Sequence, residues 1–250
     1  MLTPQEVEAY QEDGYVIPDF QLDVSIIDEI RDRHDRLLAK HPEFSDYCPS
    51  VLAFDLGFLN IGRDSRILDM VEQLIGPDFA LWNSSFFAKP AKVGSKTPWH
   101  QDGQYWPIRP LATCSVWVAI DASTPENGCL QVIPGSHKRR ELGEHEFNSA
   151  KGLSLPLELK PDAYDESTAR NIELAPGQIS LHDVFLAHGS EPNRSDKPRR
   201  GMTLRYMPTT SVYQRDIDQR RNGVLSMSER TLFLMRGIDR SGGNDFRLRH

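Results

Sequence analysis

Beyond Gly76 the chain is a succession of short runs rich in β-branched and aromatic residues, cut by turn residues, with no helix-length periodic segment between them. The runs are Phe79–Ala88, Cys114–Asp121, Leu130–Ile133, Gln178–Leu181 and Met202–Met207. Parallel neighbours in a sheet need long crossover connections, usually helical. The pattern therefore speaks against a parallel β/α sheet. Several short strands between turn signals predict an antiparallel sandwich or barrel instead.

The segment before Gly76 reads as helical. Thr3-Pro4-Gln5-Glu6 has the form of a capping box with Pro4 at the first helical position, and Gly14 stops that helix. Tyr15-Val16-Ile17 reads as a short strand. From Asp23 to Lys40, apolar Ile26, Ile27, Ile30, Leu37 and Leu38 recur at helical spacing. Asp64–Ile75 predicts a third helix with Ile67, Leu68, Val71, Leu74 and Ile75 inward. The polar stretch Ser136–Arg170 reads as a long excursion from the β core, partly helical and mobile. Ser226–Arg236 reads as a returning helix. One domain over 1–250 is expected, with a mainly helical part at 1–76, a β core at 77–210 and a C-terminal extension at 211–250.

Composition narrows the class. A chain of 250 residues needs no disulfide or metal merely to fold. Lys+Arg 29 against Asp+Glu 36 gives a net charge of −7, the wrong sign for a general nucleic-acid binder. The longest apolar runs, such as Val116–Ile120 and Leu232–Met235, fall far short of the ~20 residues of a membrane span. No basic segment leads into an apolar one at the N-terminus, so no signal peptide is expected. Cys48, Cys114 and Cys129 lack a CxxC spacing, which argues against a disulfide framework or a zinc ribbon. The expectation is a soluble cytoplasmic protein that meets a small molecule rather than nucleic acid or membrane.

Among 8 histidines, His100-Gln101-Asp102 forms an H-x-D triplet. In an extended chain residues i and i+2 share a face, so an imidazole and a carboxylate can point at one metal. The bland reading is a surface His and Asp. Trp99, Tyr105 and Trp106 around the triplet suit a pocket with apolar walls and a few polar groups, or plain core packing. A third ligand must come from elsewhere. His188 follows an apolar strand, and the turn-rich Pro192–Pro198 returns the chain antiparallel with Arg199 near the site. Two His and one carboxylate are the facial triad of non-haem Fe(II) oxygenases. Fe(II) with one aspartate carries a single formal positive charge. A 2-oxoglutarate dianion makes it a single negative one, and one arginine neutralises it, with two parallel donors for a carboxylate.

The ordered segments Phe87-Ala88-Lys89-Pro90, Trp99–Trp106, Val116–Asp121, Glu126–Leu130, Ile133–His137 and His188-Gly189-Ser190, with Asn193 and Arg199, resemble the phytanoyl-CoA dioxygenase family of Fe(II)/2-oxoglutarate oxygenases. The resemblance implies a mainly β fold with flanking helices, its core a double-stranded β-helix (jelly roll, cupin-like). It implies His100, Asp102 and His188 as iron ligands and Arg199 as the holder of the far carboxylate of 2-oxoglutarate. Ser190 is implied as a second contact to that carboxylate. Trp117, and less directly Ser85, match positions lining the cosubstrate site. The activity implied is a dioxygenase that hydroxylates a small molecule with Fe(II), 2-oxoglutarate and O2, releasing succinate and CO2. The rival is a non-catalytic or redox-neutral metal-binding jelly roll, since zinc accepts the same ligands.

Several neighbours compete for roles. His182 lies close enough in sequence to rival His188 as a ligand, or it is a histidine behind the site. Arg200 adjoins Arg199, and strand alternation allows only one of the two to face inward. His137 belongs to a structural turn. Lys138-Arg139-Arg140 is a solvated face or an attractor for an anionic substrate. His34, His145 and His250 read as surface positions. Ser136–Arg170 and Ala91–Thr97 are candidates for a movable cover over the site.

Overall fold

The N-terminal helix forms where its local chemistry says it should. The Thr3 hydroxyl accepts from the Glu6 amide at 3.2 Å, and the Glu6 carboxylate accepts from the Thr3 amide at 2.7 Å. Two of the orphan donors of a helix start are thereby satisfied. The structure, a computed structural model, describes residues 1–216 and 227–249. Its helices are α1 (Pro4–Asp13), α2 (Val24–Lys40), α3 (Leu59–Gly62) and α4 (Ser65–Ile75). The strands before the site are β1 (Tyr15–Val16), β2 (Tyr47–Cys48), β3 (Phe79–Lys89) and β4 (Thr97–His100). They are followed by β5 (Ile108–Arg109), β6 (Cys114–Ala119), β7 (Leu130–Val132), β8 (His145–Phe147) and β9 (Leu157–Leu159). The last are β10 (Arg170–Ile172), β11 (Ile179–Asp183), β12 (His188–Ser190), β13 (Arg199–Pro208), β14 (Val212–Tyr213) and β15 (Phe233–Arg236).

Two antiparallel sheets make the core. The larger has the order β1-β11-β6-β13-β3-β15, with β2 also on β3; the smaller runs β10-β7-β12-β4. Stacked antiparallel sheets of this kind are the double-stranded β-helix. Strand alternation then sorts side chains into two layers. From the larger sheet, Val116, Val118, Met202 and Leu204 pack against Ile27, Ile30, Leu37, Ile67 and Val71 of the helices. Each such side chain, once buried, contributes roughly 1.5–3 kcal/mol. Trp117 and Ala119 face the smaller sheet and meet Leu130, Val132 and Ile172. The site lies between the sheets, behind this second layer.

Three expectations need correction. The helix expected over Ser226–Arg236 is absent from its described part: Met227–Glu229 is a 3-10 turn and Phe233–Arg236 is a strand on β3. Ser226 lies outside the described residues. A sheet edge offering unpaired backbone groups outweighs the weak helical pattern there. The excursion Ser136–Arg170 is not α-helical but a β8–β9 hairpin with short 3-10 turns. It is also better anchored than its polarity implies, with Leu159 buried and Leu142, Leu155 and Leu157 packed against the core. His34 is not at the surface. It is 1% exposed and stacks on Phe86 at 4.2 Å. His145 is half-buried and its Nε2 accepts from the Gln101 amide at 3.2 Å. His250 lies outside the described residues.

Candidate metal centre

Backbone pairing alone brings two of the histidines together. His100 ends β4 and is the Cα partner of His188, which opens β12. Gln101 continues extended, with φ −113 and ψ 128, before the 3-10 turn at Asp102–Tyr105. His100 and Asp102 therefore project to one side and Gln101 to the other. Gln101 is locked there: its Nε2 donates to Phe185 O at 2.7 Å and its Oε1 accepts from the Gly143 amide at 2.7 Å.

Both ring orientations are set from behind. His100 Nδ1 lies 2.8 Å from Pro98 O, and His188 Nδ1 lies 2.9 Å from Leu186 O. A carbonyl can only accept, so each Nδ1 carries the proton and each Nε2 presents its lone pair to the centre. Asp102 Oδ1 stands 3.6 Å from His100 Nε2 and 3.9 Å from His188 Nε2. One ligand atom from each of these three buried residues lies within 4.8 Å of the others. Two imidazole nitrogens and a carboxylate oxygen so placed suit a divalent transition metal with positions left open.

Charge states agree with that use. Burial pushes the His188 imidazolium well below its ordinary range, so the ring is neutral. Burial alone would raise the Asp102 carboxyl, but the Arg205 guanidinium, with the His182 ring beside it, outweighs burial and holds it well below the usual value. His182, on β11, lies 3.5 Å from Asp102 Oδ2, at the outer edge of hydrogen-bond reach. It stands beside the carboxylate oxygen that also accepts from Ser115 Oγ at 3.4 Å, rather than joining the three-residue cluster.

The same pocket is lined by Thr97, Trp117, Ser190, Arg199 and Arg205 in addition to the cluster. Arg199 is 2% exposed and faces inward. Its Nε and Nη2 donate to Gly128 O at 3.2 and 2.9 Å, and its Nη1 donates to Phe87 O at 2.9 Å. Among the described residues no carboxylate pairs with it, and burial lowers it to about 10. Arg200 points to the helix layer, where Nε bonds Asp121 at 2.8 Å and Nη1 bonds Asp35 at 3.2 Å. Gly201 explains how Trp117 reaches the pocket: a Cβ at that position would sit 2.0 Å from the indole. The indole lies against Arg199 with 5.4 Å to the guanidinium carbon.

Other residues singled out from the sequence fall elsewhere. Trp99 does not wall the pocket; it turns outward, donating to Glu166 at 3.1 Å and packing on Tyr164. Tyr105 meets His100 edge-on at 6.0 Å. Ser85 lies behind the lining, its hydroxyl 2.9 Å from Thr203 Oγ1 and bonded to Arg205. His137 Nε2 bonds Gln11 O at 3.0 Å, Lys138 pairs with Glu12, and Arg140 pairs with Asp183 at 2.7 Å, so that basic cluster is tied to α1 and β11. Arg205 is a pocket residue that sequence reasoning passed over, and Lys89 is a buried cation beside Ser190 that it left without a role. Period-two counting from Arg199 along β13 reaches Thr203 and Arg205, and that signal was sufficient to find the latter. Lys89 Nζ donates to the carbonyls of Ser95, Ser190 and Glu191 at 2.5, 3.3 and 2.7 Å.

A double-stranded β-helix with two imidazoles and one carboxylate converging between its sheets has the donor set of the non-haem Fe(II) oxygenases. The chain belongs to the phytanoyl-CoA dioxygenase family, whose model matches residues 1–201. It is 34% identical over 148 residues to a probable phytanoyl-CoA dioxygenase of Caenorhabditis elegans, covering 56% of this chain and 47% of the relative. Against a probable alpha-ketoglutarate-dependent hypophosphite dioxygenase of Stutzerimonas stutzeri, identity is 27% over 145 residues, 58% of this chain and 50% of the relative. The apo structure of the non-heme monooxygenase ThoJ is similar with a TM-score of 0.76 and 25% identity, covering 97% of this chain and 88% of that one. The chain spans about half the length of the curated relatives it matches. Among the described residues no helix is long and apolar enough to cross a membrane.

Proposed function

We propose that the chain is an Fe(II)- and 2-oxoglutarate-dependent dioxygenase that hydroxylates a small molecule and releases succinate and CO2. One observation carries this reading: the His100–Asp102–His188 cluster and the buried guanidinium of Arg199, which has no carboxylate partner among the described residues, line one pocket. A redox-neutral zinc centre has no use for such a cation in its pocket. Relatives described as alpha-ketoglutarate-dependent support the same reading.

In this reading His100, Asp102 and His188 hold the iron. Arg199 and Ser190 take the far carboxylate of 2-oxoglutarate, and Trp117 forms the wall along which it lies. Iron, 2-oxoglutarate and O2 together supply the oxidising power, with one oxygen atom ending in succinate and the other in the hydroxylated product. The chain's own contribution is geometry, charge and dryness. The Pro98 and Leu186 carbonyls orient the ligand rings, Arg199 is desolvated in advance of the anion it receives, and Leu130 with Trp117 restricts water. The buried, unbridged cysteines Cys48, Cys114 and Cys129 suit a reducing compartment, in keeping with cytoplasmic action.

The test is a screen for succinate release over a panel of metabolites, with Fe(II) and 2-oxoglutarate supplied. Substrate-dependent succinate and a product heavier by one oxygen atom are expected. Anomalous scattering that places the metal away from His100, Asp102 and His188 would sink the assignment.

A further inference from the structure

Two buried guanidinium groups have no use in the reaction as derived: Arg205, which lines the metal pocket, and Arg230, which lines a second cavity beside Trp82 and Asn83. Arg205 is 4% exposed and Arg230 is 7% exposed. Both rest on the same aromatic pair. The Arg205 guanidinium carbon lies 5.1 Å from the Trp106 ring and that of Arg230 lies 5.7 Å from the Trp82 ring, while the two indoles meet at 4.8 Å. Asn83, the Cα partner of Arg205, lines the adjoining cavity of about 200 Å³ together with Arg230.

Neither cation makes an ion pair among the described residues, although Arg205 lines the same pocket as Asp102 and favours its ionised form. Among the described residues no carboxylate comes within 4.0 Å of either guanidinium. Arg205 makes one side-chain bond, to Ser85 Oγ, and its Nε has no partner. Arg230 Nη2 reaches Pro49 O at 3.4 Å, and its Nε and Nη1 have none. Asn83 Oδ1 and Trp82 Nε1 in the same place are likewise unpartnered. The acidic residue lining the adjoining cavity, Glu229, is exposed. Buried donors left open are costly unless something accepts from them.

Charge counting points the same way. With iron, Asp102, a 2-oxoglutarate dianion and Arg199, the centre is formally neutral, so Arg205 and Arg230 remain as two unopposed positive charges. Arg205 also stands apart from the cosubstrate's end of the pocket. Arg199 opens β13, whereas Arg205 lies toward that strand's other end, opposite Ser115, the residue that bonds Asp102.

We propose that Arg205 and Arg230 bind a carboxylate or phosphoryl group of the primary substrate, making this enzyme selective for small anionic substrates. The inference rests on the dioxygenase reading for its place in the reaction, and its test is independent of turnover. Guanidinium forks match both groups in geometry, and the anion would be held on the side of the metal away from Arg199.

The test uses the full chain loaded with Fe(II) under argon and saturated with 2-oxoglutarate, so that Arg199 is occupied. It is titrated calorimetrically with inorganic phosphate, acetate and the neutral counterpart acetamide. Saturable binding of phosphate or acetate, and none of acetamide, is expected; the tighter anion identifies the group. Arg205→Gln and Arg230→Gln should each weaken that binding by about 30-fold or more, the lower end of the loss expected for one partner of a desolvated charge pair. Arg200→Gln, on the helix-facing side, should leave it unchanged. Should the glutamine variants fail to fold, the unmutated chain still decides. Phosphate or acetate should raise its Tm more than chloride at equal ionic strength, and no difference overturns the proposal. Equal anion affinity in wild type and both glutamine variants overturns it too. So does a loss of 2-oxoglutarate affinity in Arg230→Gln as large as in Arg199→Met, which assigns the pair to the cosubstrate. If 2-oxoglutarate binds no form of the protein, the dioxygenase reading fails, while anion binding sensitive to Arg230 would still uphold the site.

Discussion

Replacing Arg199 by Met separates what this cation does for stability from what it does for binding. Two effects on folding oppose each other. The substitution strands the Gly128 and Phe87 carbonyls that Arg199 now satisfies, at about 1–3 kcal/mol for a buried polar group left unpaired. It also removes a desolvated charge. Burial lowers Arg199 from 12.5 to about 10, which at 1.36 kcal/mol per pKa unit is a cost of about 3 kcal/mol to keep the charged form buried. The terms nearly cancel, so the melting temperature should move by only a few degrees. Binding has no such compensation. Losing one partner of a buried charge pair costs ~2–5 kcal/mol, or roughly 30-fold to several thousand-fold in 2-oxoglutarate affinity. Anaerobic calorimetry of 2-oxoglutarate against the Fe(II)-loaded protein, with thermal melts of the same samples, measures both quantities. The reasoning is refuted if affinity falls by less than about tenfold, or if Arg200→Met, whose guanidinium is held by Asp121 and Asp35, does equal damage.

Asp102→Ala should abolish stoichiometric metal retention after dialysis, whereas His182→Gln should retain metal, because His182 stands beside the carboxylate and outside the cluster; elemental analysis distinguishes the two. His34 gives a pH prediction. Burial lowers it from 6.5 to about 4, so between those values the unfolded chain binds the proton more readily, and stability is lost as pH falls through that window. The full loss is about 3 kcal/mol by the same conversion, and denaturant melts of His34→Phe should lack that share of the acid sensitivity. The excursion over residues 136–170 contacts β4 through Thr97–Ser154 and Trp99–Glu166 bonds at 2.8 and 3.1 Å. If it covers the site, hydrogen exchange in it should slow when 2-oxoglutarate and substrate bind; unchanged protection there and in 91–97 means no cover operates.

Much of the architecture was legible because it is locally encoded. The capping box at Thr3, the periodic apolar faces of α2 and α4 and the strand runs at Phe79, Cys114 and Met202 each carry their signal within a few residues. The triad was legible for a related reason. His100 and Asp102 are tied by i,i+2 geometry, and His188 and Arg199 stand at the two ends of one turn-rich connection. The errors fell where local preference is weak and a distant partner decides. The Leu232–Met235 run becomes β15 because β3 offers an open edge, and His34 is buried because Phe86 of the facing sheet lies over its helix.

By itself the sequence determined an antiparallel β core behind a helical N-terminal part, a family, and a two-histidine, one-carboxylate set with an arginine beyond it. Only the tertiary structure decided which of Arg199 and Arg200 enters the pocket, because that depends on pairing with β3 and β6 rather than on either residue's chemistry. It alone placed Trp99 outside the pocket and Arg205 inside. It alone put Arg230, from beyond the β core, on the Trp82–Trp106 pair next to Arg205. The physical reason is the same in each case. Burial and charge environment are set by what packs against a residue across the fold, and neighbours in sequence carry no record of it.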